Sequence, residues 1–200
     1  TLVNEVLFKN VNKILNKSLI KSQMDLEIDV LWDTLENIFS IISKEQLDKK
    51  LSKEKIIEIM NTGLIEQNLF QNFVGIETMA VNMLRDLYVQ HYGFVALNKN
   101  LINDLSSIMQ NDRVIEVGAG TGFLAKHLQE KNINLLPVDN AISDMDKYTN
   151  HYGFRKTFTD ILETDAINYF KENKHNFDTI LMVWPPLYEE LSSEIFKEMS

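Results

Sequence analysis

The stretch "VIEVGAGTGF", Val114 to Phe123, decides how this chain is read. Four residues of strand character run into glycines at alternate positions, Gly118, Gly120 and Gly122. Glycine lacks the Cβ that would block a ligand and tolerates positive φ, so such a turn lets main chain come very close to something. The candidates are a nicotinamide dinucleotide, a phosphate or a sulfonium nucleoside. A dinucleotide fingerprint spaces its glycines as G-x-G-x-x-G. Here the third glycine comes one residue early, and Phe123 stands where that fingerprint has glycine or alanine. A phosphate loop of the Walker type needs Gly-Lys-Ser/Thr, which is absent from this stretch.

Working outward, the residues after Asn111 alternate strand and helix patterns. "RVIEV" leads to "GFLAKHLQEK", and "NLLPV" ends at Asp139. A polar stretch and helix follow to about residue 150, then a weaker strand near "FRKTFTDI" and a helix over "DAINYFKEN". "DTILMV" reaches "WPP", and a last helix is expected from Tyr188 to Met199. Strands alternating with helices predict crossover units and a parallel sheet, hence an α/β fold. Residues 1–90 read differently. They hold no proline and only two glycines, Gly63 and Gly75, and carry apolar stripes at three-four spacing. One stripe runs through Val3, Leu7, Val11, Ile14 and Leu15; another through Ile28, Leu31, Trp32, Leu35, Ile38, Phe39 and Ile42. Further helices are expected from about Ile76 to Gln90 and, capped by Asn98, through Met109; Ser43 and Ser52 are candidate caps between them. The division expected is a helical region over 1–90 and a ligand-binding α/β domain over 91–200.

Charge narrows the ligand. The chain has a net charge of −9, and residues 101–200 carry 9 basic against 16 acidic side chains. An acidic half is ill-suited to gripping a nucleic-acid backbone unaided. A pyrophosphate favours a helix N-terminus free of acids. This turn has Glu116 two residues before its first glycine, Asp139 at the end of the second strand, and Asp165 after the third. Carboxylates favour a cation such as a sulfonium. Asp165 also opens a helix, where an acid is stabilising on its own account. On the first two helices, Lys9, Lys13, Lys17 and Lys21 form a row four apart, as do Asp25, Asp29 and Asp33. The rows are solvated faces, facing partners in a helical hairpin, or a docking surface. The chain has no cysteine and no apolar run near the ~20 residues of a membrane span. No signal peptide is recognisable, and a cytoplasmic protein is expected.

With these residues in place, the sequence resembles the class I, Rossmann-like methyltransferases that use S-adenosylmethionine. "EVGAGTG" matches their first motif, acidic-x-Gly-x-Gly-x-Gly; "PVDN" resembles the second-strand motif and "TDAI" the third. The resemblance implies that Gly118, Ala119, Gly120 and Gly122 line the methionine and ribose, with Glu116 placing the turn and, as a second role, the amino group. It implies that Asp139 holds the ribose hydroxyls, with Asn140 beside it in the same motif, and that Asp165 and Ala166 read the adenine. A narrower group of methyltransferases is similar over residues 91–190, with Trp-Pro-Pro after the fourth strand. This chain departs from that group's Tyr-x-Trp-Ala-Ile-Pro-like segment at Phe94, Val95, Ala96 and Leu97. A methyltransferase sheet usually has seven strands; four are readable here, and the expectation is a sheet truncated after the fourth.

"VWPPLY" invites comparison with the Asn/Asp-Pro-Pro-Tyr of amino methyltransferases, but Trp184 stands at the Asn/Asp position and Leu187 at the aromatic one. An indole donates one hydrogen bond and accepts none, which argues against methylation of adenine or cytosine amines. Trp184 is instead a candidate cation–π partner for the sulfonium. Should the acceptor need to lose a proton, candidate bases are His91, Tyr92, His151, Tyr152 and Tyr188, with no catalytic assignment and no metal. The function expected is methyl transfer to an unknown acceptor, a small molecule or protein. The alternative is a non-catalytic module of methyltransferase-like fold that binds a protein partner, or a second copy, through its helical front.

Overall fold

The computed structural model describes residues 23–39, 51–66, 69, 76–140, 157–183 and 191–199. The stripe through Val3, the lysine row, Ser43, the segment 141–156 with His151 and Tyr152, and Trp184 to Tyr188 lie outside the described residues. The chain divides into two compact units, Thr1–Tyr88 and Val89–Ser200.

In the first unit, helix α1 (Gln23–Phe39) buries Leu26, Ile28, Val30, Leu31 and Leu35, with Trp32 half-buried. Helix α2 (Lys53–Thr62) lies against it and buries Ile56, Ile59 and Met60. Ser52 caps α2 by accepting from the Lys55 amide at 3.3 Å, which meets the need of an orphan N–H. Gly63 ends it at φ +66°, its amide donating to Ile59 O at 2.7 Å. Helix α3 (Ile76–Tyr92) brings the buried Tyr88 hydroxyl to donate to the Gly63 carbonyl at 2.8 Å. Asp29 pairs with Lys53 of α2 at 3.0 Å, so at least this member of the aspartate row has a partner within the unit.

In the second unit, α3 runs two residues past its expected end at Gln90, and Gly93 terminates it at φ +98°, its amide donating to Val89 O. Asn98 then caps helix α4 (Lys99–Ile108), accepting from the Leu101 amide at 2.9 Å. Four strands follow among the described residues: β1 (Arg113–Val117), β2 (Asn134–Asp139), β3 (Leu162–Glu163) and β4 (Thr179–Met182). Between and after them come α5 (Phe123–Glu130), α6 (Ala166–Asn173) and α7 (Leu191–Glu198). The sheet is all-parallel in the order β3-β2-β1-β4, so the fold is α/β. Ile115 and Val117 of β1 join Val138, Ala166, Phe170 and Ile195 in one buried cluster, which puts α6 and α7 on that face. Val114 and Glu116 alternate with them and face the other way, the side on which α5 meets β2 and α4 meets α5.

Strand order reverses between β1 and β4. The chain moves outward from β1 to β2 and β3, then returns to the far side of β1. Ligands of open α/β sheets bind at the carboxyl ends of the strands beside such a reversal. At the opposite end, Asp178 accepts from the Arg113 amide at 3.0 Å and from its guanidinium at 2.8 Å through both carboxylate oxygens. That fork clamps β1 to β4 where no ligand is expected.

The third strand differs from the sequence expectation. Phe158 to Asp160 are not extended into the sheet; β3 is two residues, Leu162–Glu163. The preceding residues are drawn onto the flank of α5, where the Phe158 amide donates to Thr121 O at 2.9 Å and the Thr159 hydroxyl to Gln129 Oε1 at 2.8 Å.

Candidate functional site

The glycine turn sits at the carboxyl end of β1, next to the reversal of strand order. Gly118, Gly120 and Gly122 all take positive φ, at +73°, +55° and +69°. Three left-handed residues at alternate positions explain why glycine recurs with period two. The turn is held from within. The Gly118 and Ala119 amides both donate to Val138 O, at 3.0 and 3.1 Å, and the Gly122 amide to Ala119 O at 2.9 Å. The Gly120 amide donates to Asp139 Oδ2 at 2.8 Å. The buried Thr121 hydroxyl donates to the Tyr92 carbonyl at 2.7 Å, fastening the turn to the end of α3.

The three glycines are not equivalent. Among the described residues, a Cβ built on Gly118 or Gly120 meets nothing within 4 Å. One on Gly122 meets Ile161 Cδ1 and Thr159 Cγ2, each at 3.0 Å. The first two glycines are therefore clear of every described side chain, and the third admits the segment that leads to β3. Ala119 lies between the open pair and is half-buried.

Two acids lie beneath this opening. Glu116 is 4% exposed, and its Oε2 has no hydrogen-bond partner among the described residues. Burial first, and the neighbouring Asp139 carboxylate second, push its carboxyl up to about 8. Asp139 is half-buried; its side chain holds Gly120, while its carbonyl accepts from the Thr164 amide at 2.9 Å. An orphaned buried carboxyl oxygen costs free energy unless something meets it.

The other expected residues scatter. Asn140 is exposed at the end of β2. Asp165 is exposed and caps α6, accepting from the Asn168 amide at 2.8 Å. Ala166 is buried in the core cluster with Phe170 and Ile195, on the sheet face away from Glu116. Of the candidate bases, His91 and Tyr92 are buried, and burial pushes the Tyr92 hydroxyl up, away from a base's range. Tyr92 belongs to an aromatic packing group with Phe123 and Phe158, at centroid distances of 4.7 and 5.5 Å. That group and Thr121 support the turn from behind. Only the aromatic at position 123, out of place in a dinucleotide fingerprint, signalled them in the sequence.

Among the described residues no group of three or more His, Asp or Glu could hold a metal ion, and no helix is long and apolar enough to cross a membrane. Comparison with protein-family models, with curated proteins and with solved structures finds no match to this chain.

Proposed function

We propose that the second unit binds S-adenosylmethionine at the glycine turn and that the protein is a methyltransferase of Rossmann-like, class I type. The observation that carries this reading is the pairing of an opening at Gly118 and Gly120 with two carboxyl groups, Glu116 and Asp139, beside the reversal of strand order.

The acids favour a cation over a phosphate. Four amides of the turn, those of Gly118, Ala119, Gly120 and Gly122, are engaged within the protein, which takes them away from a pyrophosphate cradle. A pyrophosphate would also meet the Asp139 carboxylate, whose charge repels it. The residues fit an adenosyl sulfonium on the same grounds. Gly118 and Gly120 would give main-chain access, Glu116 would offer an unsatisfied oxygen to a cationic group, and Asp139 would take the ribose hydroxyls. Bound there, the cofactor supplies an electrophilic methyl group on a positively charged sulfur. The chain's own part is to fix the nucleoside against the turn and to align an acceptor with it, since orientation is the main contribution a protein makes to such a displacement. The acidic half favours a small-molecule or protein acceptor over nucleic acid.

Calorimetry with S-adenosylhomocysteine is the direct test. Binding at micromolar to millimolar concentration is expected, and no heat at millimolar ligand overturns the reading. Incubation of cell extract with methyl-labelled cofactor then separates enzyme from module: label transferred to an acceptor marks the enzyme, and cofactor bound without transfer marks the non-catalytic module.

A further inference from the structure

We infer that Glu116 is a specificity-determining residue that exchanges its proton for the ligand's positive charge, so that the site discriminates the cationic sulfonium nucleoside from its neutral thioether product. The inference rests on the reading that an adenosyl ligand occupies the turn. Its geometric ground is a carboxyl that is 4% exposed, with Oε2 unpartnered among the described residues, set next to a carboxylate that holds the Gly120 amide.

Two acids this close in a buried site do not both ionise readily. Burial, and the Asp139 carboxylate beside it, keep the proton on Glu116. Among the described residues, the other charged groups on the strands and helices of that face do not compensate Glu116. On α5, Lys126 and His127 both turn to Glu130, at 3.6 and 3.3 Å. On α4 the titratable residues are Lys99 and Asp104, both exposed. On β2 the sole acid is Asp139, and β4 carries no titratable side chain between Thr179 and Met182. Burial holds the resting carboxyl neutral up to about 8. A cation brought to the opening stabilises the ionised form and expels the proton. A thioether brings no such charge at sulfur and leaves the proton in place. The substrate form of the cofactor therefore gains affinity as pH rises toward the carboxyl's titration, and the product form does not. At the pH of a cell this loosens the spent cofactor relative to the fresh one only as far as the proton leaves, which makes the exchange measurable.

The experiment is titration calorimetry of the full chain with S-adenosylmethionine and, separately, S-adenosylhomocysteine, in two buffers of different ionisation enthalpy, from about pH 6 to about pH 8.5. The proton count comes from the buffer dependence of the heat. The expected result is release of up to about one proton per sulfonium bound near neutral pH, and an affinity ratio between the two ligands that grows by up to about tenfold per pH unit below about 8. The ligands' own amino groups titrate in the same range, so the decisive quantity is wild type minus Glu116→Gln. The glutamine keeps the shape of the protonated acid and is expected to remove the extra release and flatten the ratio. Equal proton release for the two ligands, or a ratio whose pH slope survives in E116Q, overturns the inference while leaving adenosyl binding intact. No binding of either ligand overturns the binding reading and the inference with it.

Discussion

Asp139 Oδ2 accepts the Gly120 amide hydrogen at 2.8 Å, so the acid that ends β2 and the middle glycine of the turn act as one unit. The same strand supplies Val138 O to the Gly118 and Ala119 amides. The turn is thus shaped by its neighbour strand as much as by its own glycines.

Replacing Asp139 should separate shape from charge. Asp139→Ala removes a charge-assisted hydrogen bond, a loss of about 1.5–3 kcal/mol in stability where the amide is left unmet. On the proposed function it should also weaken S-adenosylhomocysteine at least about tenfold. Asp139→Asn keeps an acceptor for Gly120 and should recover most of the stability but not the affinity. Thermal melts and calorimetry on the pair check both; wild-type affinity in Asp139→Ala removes Asp139 from the binding site.

Glu116 sets a pH dependence with a definite sign. Its carboxyl is raised to about 8 in the fold from an ordinary 4.5, so between those values the folded chain keeps a proton that the unfolded chain has lost. The contribution to stability is fully present below about pH 4.5 and is lost as pH rises through about 8. Glu116→Gln cannot ionise and should lack this slope. Urea midpoints of wild type and variant, measured from about pH 5.5 to about pH 8.5, should show the variant gaining on wild type as pH rises, with a difference on the order of a few kcal/mol at most. Parallel curves would mean that the carboxyl ionises normally.

What the sequence reveals, and what it conceals, divides along the range of the interactions. β1, β2, β4, α5 and the caps Ser52, Asn98 and Asp165 follow from local pattern, because strand alternation, glycine at positive φ and side-chain caps involve residues a few positions apart. Gly118, Gly120, Glu116 and Asp139 come together because parallel register places Glu116 beside Pro137 and Val117 beside Val138. The short β3 is less legible. Its predecessors Phe158 and Thr159 are claimed by Thr121 and Gln129, partners some thirty residues away that no local pattern announces. Ala166 lies in the buried cluster; which way the residue after a cap faces depends on which sheet face the helix covers, and that is a tertiary fact.

Asp165 distinguishes a helix cap from a ligand contact. Its carboxylate already meets the Asn168 amide at 2.8 Å. Asp165→Ala should cost about 1 kcal/mol in stability through loss of the cap, and Asp165→Asn, an equally good cap, close to nothing. Neither should change adenosyl affinity by more than about twofold if capping is its whole role. A larger loss of affinity in Asp165→Asn, whose cap is intact, would assign Asp165 to adenine recognition after all.

The glycines offer the sharpest contrast, because two of them face space and one faces protein. All three have left-handed φ, so alanine at any of them carries a backbone penalty of about 1–2 kcal/mol. At Gly118 and Gly120 no described residue opposes the added methyl within 4 Å. At Gly122 it collides with Ile161 and Thr159 at 3.0 Å, and overpacking adds about 1–3 kcal/mol. Gly122→Ala should therefore be the least stable of the three by urea denaturation. Affinity should run the other way among the folded variants. Gly118→Ala and Gly120→Ala put a methyl group into the proposed ligand space and should weaken S-adenosylhomocysteine by tenfold or more, roughly 1.4 kcal/mol, at a modest cost in stability. If Gly118→Ala and Gly120→Ala are as stable as expected and bind as tightly as wild type, the space above them is not where the nucleoside goes.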